Sequence, residues 1–182
     1  MRKLTGVLLV FLFAFTSFGF SFDLSFFDFP TLQEAAYYDA LQDVKEGHHD
    51  YAYIKLREYV RERPRPDREK KARFSMAEYL LEIKNYRDAI KQLAGYLEDY
   101  PDDPSRVFAQ ALLYKALTDF KQDPELIERI KLNFFSRSLF LIFSESKSIE
   151  YESIFKNVYR ITEYVDRIEI FKNNELFLDI AP

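Results

Sequence analysis

Apolar side chains recur at the spacing of one helix face in two successive runs between Phe74 and Pro101. The runs consist of Phe74, Ala77, Leu80 and Leu81, and of Ala89, Ile90, Leu93, Leu97 and Tyr100. Lys84-Asn85-Tyr86 interrupts the pattern between them, and asparagine tolerates the left-handed conformation that closes many helices. Pro101 has no amide hydrogen and ends the second run. The pattern therefore predicts two antiparallel helices that turn at Asn85.

The same pattern occurs 37 positions earlier in the chain. The aligned pairs are Ala40 with Ala77, Ala52 with Ala89, Leu56 with Leu93, Tyr59 with Tyr96, and Pro64 with Pro101. Gly47 stands where the earlier pair of helices must turn. Alanine on an apolar helix face lets two backbones approach closely. We therefore expect these alanines to lie where neighbouring helices pack.

In both units the two small residues and the proline are 12 positions apart, at 40, 52 and 64 and at 77, 89 and 101. This spacing resembles that of the tetratricopeptide repeat, a helix hairpin that stacks into a solenoid. The period is longer than the usual one of that family, and the extra residues fit in the loops after Pro64 and Pro101. The resemblance implies that a partner protein binds along the inner groove of the stacked hairpins.

Residues 99–116 are similar to the segment that joins repeats in bacterial envelope members of this family, of the outer-membrane assembly lipoprotein and Tol-Pal coordinator type. There, a proline that follows an aromatic residue is itself followed by a small residue about ten positions later, here Ala111. The resemblance covers roughly residues 36 to 120. The chain departs from the lipoprotein because it contains no cysteine, so we expect no lipid-modified N-terminus.

Helix signals continue beyond the second unit. Asp103-Pro104 and Asp123-Pro124 each place a proline in a first helical turn, and the second of these helices is expected to run toward Phe143. Ser148 can cap a final helix, whose apolar positions step by four and three residues: Ile154, Val158, Ile161, Val165 and Ile168. This seam is interpreted as the cap of a repeat stack or, alternatively, as the contact of a homodimer.

The predicted fold class is therefore all-α. Antiparallel helix hairpins over residues 31–143 form a short α-solenoid like that of tetratricopeptide repeats, and residues 144–182 form a capping helix and a tail. Within the tail, residues 168–180 alternate around Lys172-Asn173-Asn174-Glu175, which indicates a small β-hairpin.

The N-terminal segment has the layout of a secretory signal peptide, with Arg2-Lys3 followed by an apolar run over residues 7–15. We predict that residues 1–21 are this signal, or an uncleaved anchor, since the uncharged run approaches the length of a membrane span. Residues 22–30 are rich in phenylalanine and are interpreted as a strap on the first helices, with a docking segment as the alternative. The rest of the chain is expected to be exported, either periplasmic or membrane-associated and facing the periplasm.

The composition excludes several classes of chemistry. With no cysteine and two histidines in 182 residues, there are no disulfides, thiolate zinc sites or cysteine nucleophiles. His48 and His49 are adjacent, so their side chains diverge on a helix and we predict no metal site. The formal charge of −4, or −6 without Arg2 and Lys3, argues against nucleic acid as a partner. We expect neither a cofactor nor catalytic residues.

Two groups of residues are candidates for partner binding. Residues 57–73 carry eight basic and four acidic side chains, a local excess of +4 that could bind an anionic envelope surface or an acidic partner. First helices line the inner face of such hairpins, and their tyrosines suit an interface. The candidate residues are Arg61, Arg63, Arg65, Arg68, Tyr38, Tyr79 and Tyr114.

The sequence thus predicts a non-catalytic adaptor of the cell envelope that binds another envelope protein or peptide segment in its groove. The alternative is a membrane-tethered assembly subunit that self-associates through the helix over residues 154–168.

Overall fold

A computed structural model describes residues 32–62, 65–121, 124–133, 149–163 and 167–181. The predicted signal peptide or anchor (1–21), the phenylalanine-rich strap (22–30) and the expected helix continuation to Phe143 lie outside these residues.

The first part of the described chain is helical throughout. Its helices are α1 (Leu32–Lys45), α2 (His49–Arg61), α3 (Pro66–Glu82), α4 (Tyr86–Asp99), α5 (Arg106–Asp119) and α6 (Pro124–Asn133). Each helix packs on the next one along the chain, and α3 also contacts α5. The helices that the apolar pattern predicted over these residues are confirmed.

The small residues of the repeat are buried where helices meet. Ala40, Ala52 and Ala89 are 0% exposed and Ala77 is 1% exposed. The larger residues aligned with them, Leu56 with Leu93 and Tyr59 with Tyr96, are also buried. The expectation that the four alanines lie at packing positions is therefore confirmed.

The helix pairs turn through a repeated backbone geometry. After α1, the Gly47 amide donates to the Val44 carbonyl at 3.1 Å and the His48 amide to the Asp43 carbonyl at 2.8 Å. After α3, the Lys84 and Asn85 amides donate to the Leu81 and Leu80 carbonyls at 3.0 and 2.8 Å in the same arrangement. This is the Schellman motif, in which the residue after the helix C-cap is left-handed.

The left-handed residue of the second turn is Lys84, not Asn85 as predicted. Lys84 has φ 61°, whereas Asn85 has φ −81° and its side chain caps α4 instead. Gly47 (φ 79°), Lys84 and Lys121 (φ 52°) all follow first helices and lie 37 positions apart, at 47, 84 and 121. The repeat period is thus visible in the backbone of a third hairpin, α5 and α6.

The described residues after α6 form an antiparallel sheet, so the predicted capping helix is wrong. The strands are β1 (Glu150–Glu152), β2 (Val158–Glu163), β3 (Ile168–Lys172) and β4 (Glu175–Ile180), in the spatial order β1-β2-β3-β4. The expected hairpin at the end of the chain is confirmed as β3 and β4, and Asn173 and Asn174 at its turn have φ 53° and 66°.

The helix-like spacing of apolar residues in this segment masked an alternation of buried and less buried positions, which is typical of strands. In β2 and β3, Tyr159, Ile161, Ile168 and Ile170 are 0 to 1% exposed, while the residues between them are only partly buried. β-branched residues with this alternation favour strands that have one buried face. That face packs on residues of α3, α4 and α5 in the larger of two apolar clusters.

The second apolar cluster joins α1, α2 and α3 to the β1–β2 connection through Ile154 and Phe155. The sheet is therefore continuous with the core of the helix hairpins. None of the described helices combines the length and apolar character that crossing a membrane requires.

Candidate functional site

The C-terminal sheet lies on α3 and α5, the first helices of the second and third hairpins. The Ser75 hydroxyl accepts a hydrogen bond of 2.8 Å from the Ile154 amide. The ring of Tyr159 packs on Phe74 and Phe108, with centroids 5.7 and 6.2 Å away. Because first helices were expected to line an inner groove, the part of that predicted surface formed by α3 and α5 is covered by the chain's own sheet.

A buried carboxylate connects α3 to this sheet. Glu78 is 1% exposed, accepts a hydrogen bond from the Tyr159 hydroxyl, and accepts another at 2.8 Å from the side-chain amide of Asn157. The Lys172 ammonium lies 3.6 Å from the same carboxylate oxygen and 2.5 Å from Glu82. Burial raises the pKa of Glu78 and of Tyr159 above their ordinary values. These groups hold the sheet on α3, an arrangement that the sequence pattern gave no means to predict.

Tyr79 is a packing residue. It is 8% exposed, and its ring lies 5.1 Å from that of Tyr53 and 5.9 Å from that of Phe155. Its hydroxyl donates to Asp50, and this hydrogen bond together with burial raises the pKa of Tyr79 to about 12. Tyr114 is half-buried against the larger core cluster. Of the three candidate tyrosines, only Tyr38 is substantially exposed, at 44%.

Two of the four candidate arginines lie close together. Arg65 and Arg68 each form an ion pair of 2.8 Å with Glu34 of α1. Arg68 also donates to the Tyr38 hydroxyl at 3.0 Å, and its guanidinium lies over the rings of Tyr37 and Tyr38 at 5.4 and 5.1 Å. These contacts connect α1 to the start of α3.

Most of the predicted basic excess is neutralised by acids from other helices and loops. Lys70 pairs with Asp103 at 2.7 Å, and Arg73 pairs with Asp99. Arg61 is exposed at the end of α2, and Arg63 lies outside the described residues. Four of the seven described basic side chains of the run over residues 57–73 therefore pair with acids from outside the run, which leaves a smaller cationic surface than the charge count predicted.

A cleft that the sequence analysis missed lies between the first two hairpins. This α2–α4 cleft has a volume of about 440 Å³ and is lined by Tyr53, Val60, Arg73, Met76, Asp88, Lys91, Gln92 and Gly95. Its apolar and aromatic side chains come from α2 and α3, and its polar side chains come mainly from α4. A glycine in the middle of a predicted helix was the one available signal, because glycine there costs stability unless space is needed.

Three side chains in the first turn offer possible metal ligands. Asp43, Glu46 and His48 place ligand atoms within 4.8 Å of one another. The Lys55 ammonium already lies 2.8 Å from Asp43 and neutralises it. His49 packs its ring 5.1 Å from that of Phe155 and is not part of this group.

Comparisons of the chain with protein-family models, with curated proteins and with solved structures found no match.

Proposed function

We propose that the chain is a non-catalytic adaptor, exported to the periplasmic side of the cell envelope, that binds a segment of another envelope protein. In this proposal the helix hairpins stack as a short solenoid of the tetratricopeptide type. The support for stacking is the backbone period of 37 residues at 47, 84 and 121, together with the contact between α3 and α5.

The binding surface of this adaptor is the α2–α4 cleft. The observation that carries this assignment is the contrast between two surfaces: the chain's own sheet covers α3 and α5, whereas the cleft has exposed polar lining at Asp88 and Lys91. Tyr53, Val60 and Met76 offer an apolar surface for one side chain of a partner. Arg73, Gln92 and the exposed charges supply donors and acceptors for a peptide backbone.

Gly95 provides a way to test the cleft without damaging the fold. A Cβ added at this position meets no atom within 4 Å, so a larger side chain enters open space. We expect the Gly95→Leu variant to fold normally and to block the cleft. The matched control is Gly95→Ala, which adds a single methyl group.

The experiment selects peptides from a displayed random library on the wild-type chain and measures their dissociation constants by fluorescence anisotropy. Gly95→Leu should weaken binding of the selected peptides at least about tenfold, and Gly95→Ala should weaken it less. Equal affinity for wild type and Gly95→Leu would assign binding to another surface. Failure to select any peptide would reject the adaptor proposal.

The alternative of self-association loses most of its proposed surface. Ile154, Ile161 and Ile168 are 1 to 2% exposed inside the chain's own core, and no helix exists over the described residues 149–163. Of the other two predicted seam residues, Val158 is 39% exposed on a strand and Val165 lies outside the described residues. We therefore retain the adaptor as the single proposal.

A further inference from the structure

Two consecutive hairpin turns present an exposed apolar residue followed by lysine. Ile83 and Lys84 follow α3, and Phe120 and Lys121 follow α5, at positions 37 residues apart. Ile83 is 52% exposed and Phe120 is 39% exposed. The ring of Tyr86 lies 6.0 Å from that of Phe120, so the two turns are neighbours. We name Ile83, Lys84, Arg87, Phe120 and Lys121 the tip surface.

Both lysines occupy a backbone conformation that normally favours glycine. Lys84 has φ 61° and Lys121 has φ 52°, whereas the corresponding position of the first hairpin is Gly47. A side chain at positive φ costs free energy, and strained residues of this kind are often found at functional sites. A lysine at a helix C-terminus does interact favourably with the negative end of the helix dipole. A lysine inside the last turn would make the same interaction without the backbone strain. The repeated lysines therefore call for a role beyond closing the helix.

The cations of the tip surface are available for a ligand. Lys84, Arg87 and Lys121 are exposed, and none of their side chains forms an ion pair or hydrogen bond with another of the described residues. Of the acids beside them, Glu82 and Asp119 are ion-paired with other lysines, whereas Asp88 stays exposed and accepts a hydrogen bond from a neutral side chain. Glu82 pairs with Lys172 at 2.5 Å, Asp119 with Lys115 at 3.1 Å, and Asp88 accepts from Asn85 at 2.8 Å.

We propose that the tip surface docks onto an anionic lipid surface, with Ile83 and Phe120 entering the interface and the three cations contacting lipid headgroups. Exposed apolar side chains at loop tips, flanked by long cationic side chains, suit a fluid interface with negative charge. The residues of the tip surface do not line the α2–α4 cleft.

A tryptophan substitution reports on this surface locally, because the chain contains no tryptophan. In the Phe120→Trp variant of the full chain, we expect a blue shift of the emission on adding phosphatidylglycerol vesicles, and quenching when the acyl chains carry bromine. The matched control is Ile54→Trp, since Ile54 is 41% exposed on α2 and outside the tip surface. The local probe separates docking of the tip surface from any binding through the apolar N-terminal segment.

Charge variants in the Phe120→Trp background test the cations. Replacing Lys84 and Lys121 together with glutamine should weaken the vesicle titration about 25-fold, or roughly fivefold for each lysine, and Arg61→Gln should leave it unchanged. The Lys84→Gly and Lys121→Gly double variant should bind equally poorly although its backbone strain is relieved. The proposal is overturned if the emission does not change with phosphatidylglycerol, if phosphatidylcholine gives an equal response, or if the lysine variants bind like their parent.

Discussion

The two ends of helix α3 carry basic residues in opposite situations. At its start, Arg65 and Arg68 are ion-paired with Glu34, and the Arg68 guanidinium lies against two tyrosine rings. Just after its end, Lys84 is exposed, strained and without an ion pair among the described residues. The first set of charges contributes to the fold. The second contributes nothing to the fold that can be identified, which makes it the better candidate for contact with another molecule.

The largest effect on stability is expected at the paired end. Glu34→Ala should lower the free energy of unfolding by about 2 kcal/mol, because it leaves two arginines without their counter-ion and Glu34 is only 8% exposed. Urea unfolding followed by circular dichroism measures the change. The matched control at the other end is Lys84→Ala, which should change stability by less than about 0.5 kcal/mol. Similar losses of stability for both variants would show that the basic residues at the two ends of α3 contribute equally to the fold.

A smaller pair of effects with opposite signs is expected at the turns. Gly47→Ala should destabilise by about 1 kcal/mol, because its φ is 79° while no atom lies within 4 Å of the added Cβ. Lys84→Gly should stabilise by about 0.5 to 1 kcal/mol, because glycine relieves the strain at φ 61°. The midpoints of urea unfolding give both values. A loss of stability in Lys84→Gly would show that the lysine side chain supports the fold.

Glu78 is buried on α3 between these two ends, and its ionisation makes the free energy of unfolding depend on pH. Burial raises the pKa of Glu78 in the folded chain above its ordinary value of 4.5. Its contribution to stability is therefore fully present below pH 4.5 and is lost as the pH rises through the folded pKa. Glu78→Gln should flatten this decline in urea unfolding measured from pH 4 upward. An unchanged slope would exclude Glu78 as its source.

Local sequence was sufficient for the helix hairpins but not for their turns in detail. The apolar spacing and the alanines at 40, 52, 77 and 89 predicted helices and packing positions, because helix pairing between sequence neighbours needs few distant contacts. Asn85 was chosen for the left-handed position on intrinsic preference. The hydrogen bonds of the turn place Lys84 there instead, because Ile83 is the C-cap of α3 and the left-handed residue follows the C-cap.

Local sequence was also insufficient to predict the surroundings of the candidate site residues. Counting charges over residues 57–73 predicted an open cationic patch, but Asp99, Asp103 and Glu34 approach from other parts of the chain. Tyr79 was placed at an interface because of its helix, and Phe155, 76 positions later (79 to 155), covers it. No local signal in the sequence indicates such contacts.

The sequence by itself determined the helix hairpins, their 37-residue period and the final β-hairpin, because periodicity and turn residues act over a few neighbouring positions. Only the tertiary structure decided that Glu150–Glu152 and Val158–Glu163 become strands, since Tyr159 and Ile161 gain their burial on helices some 80 positions earlier in the chain. It also decided which cations are neutralised, because a charge is paired by whatever the fold brings within a few ångströms.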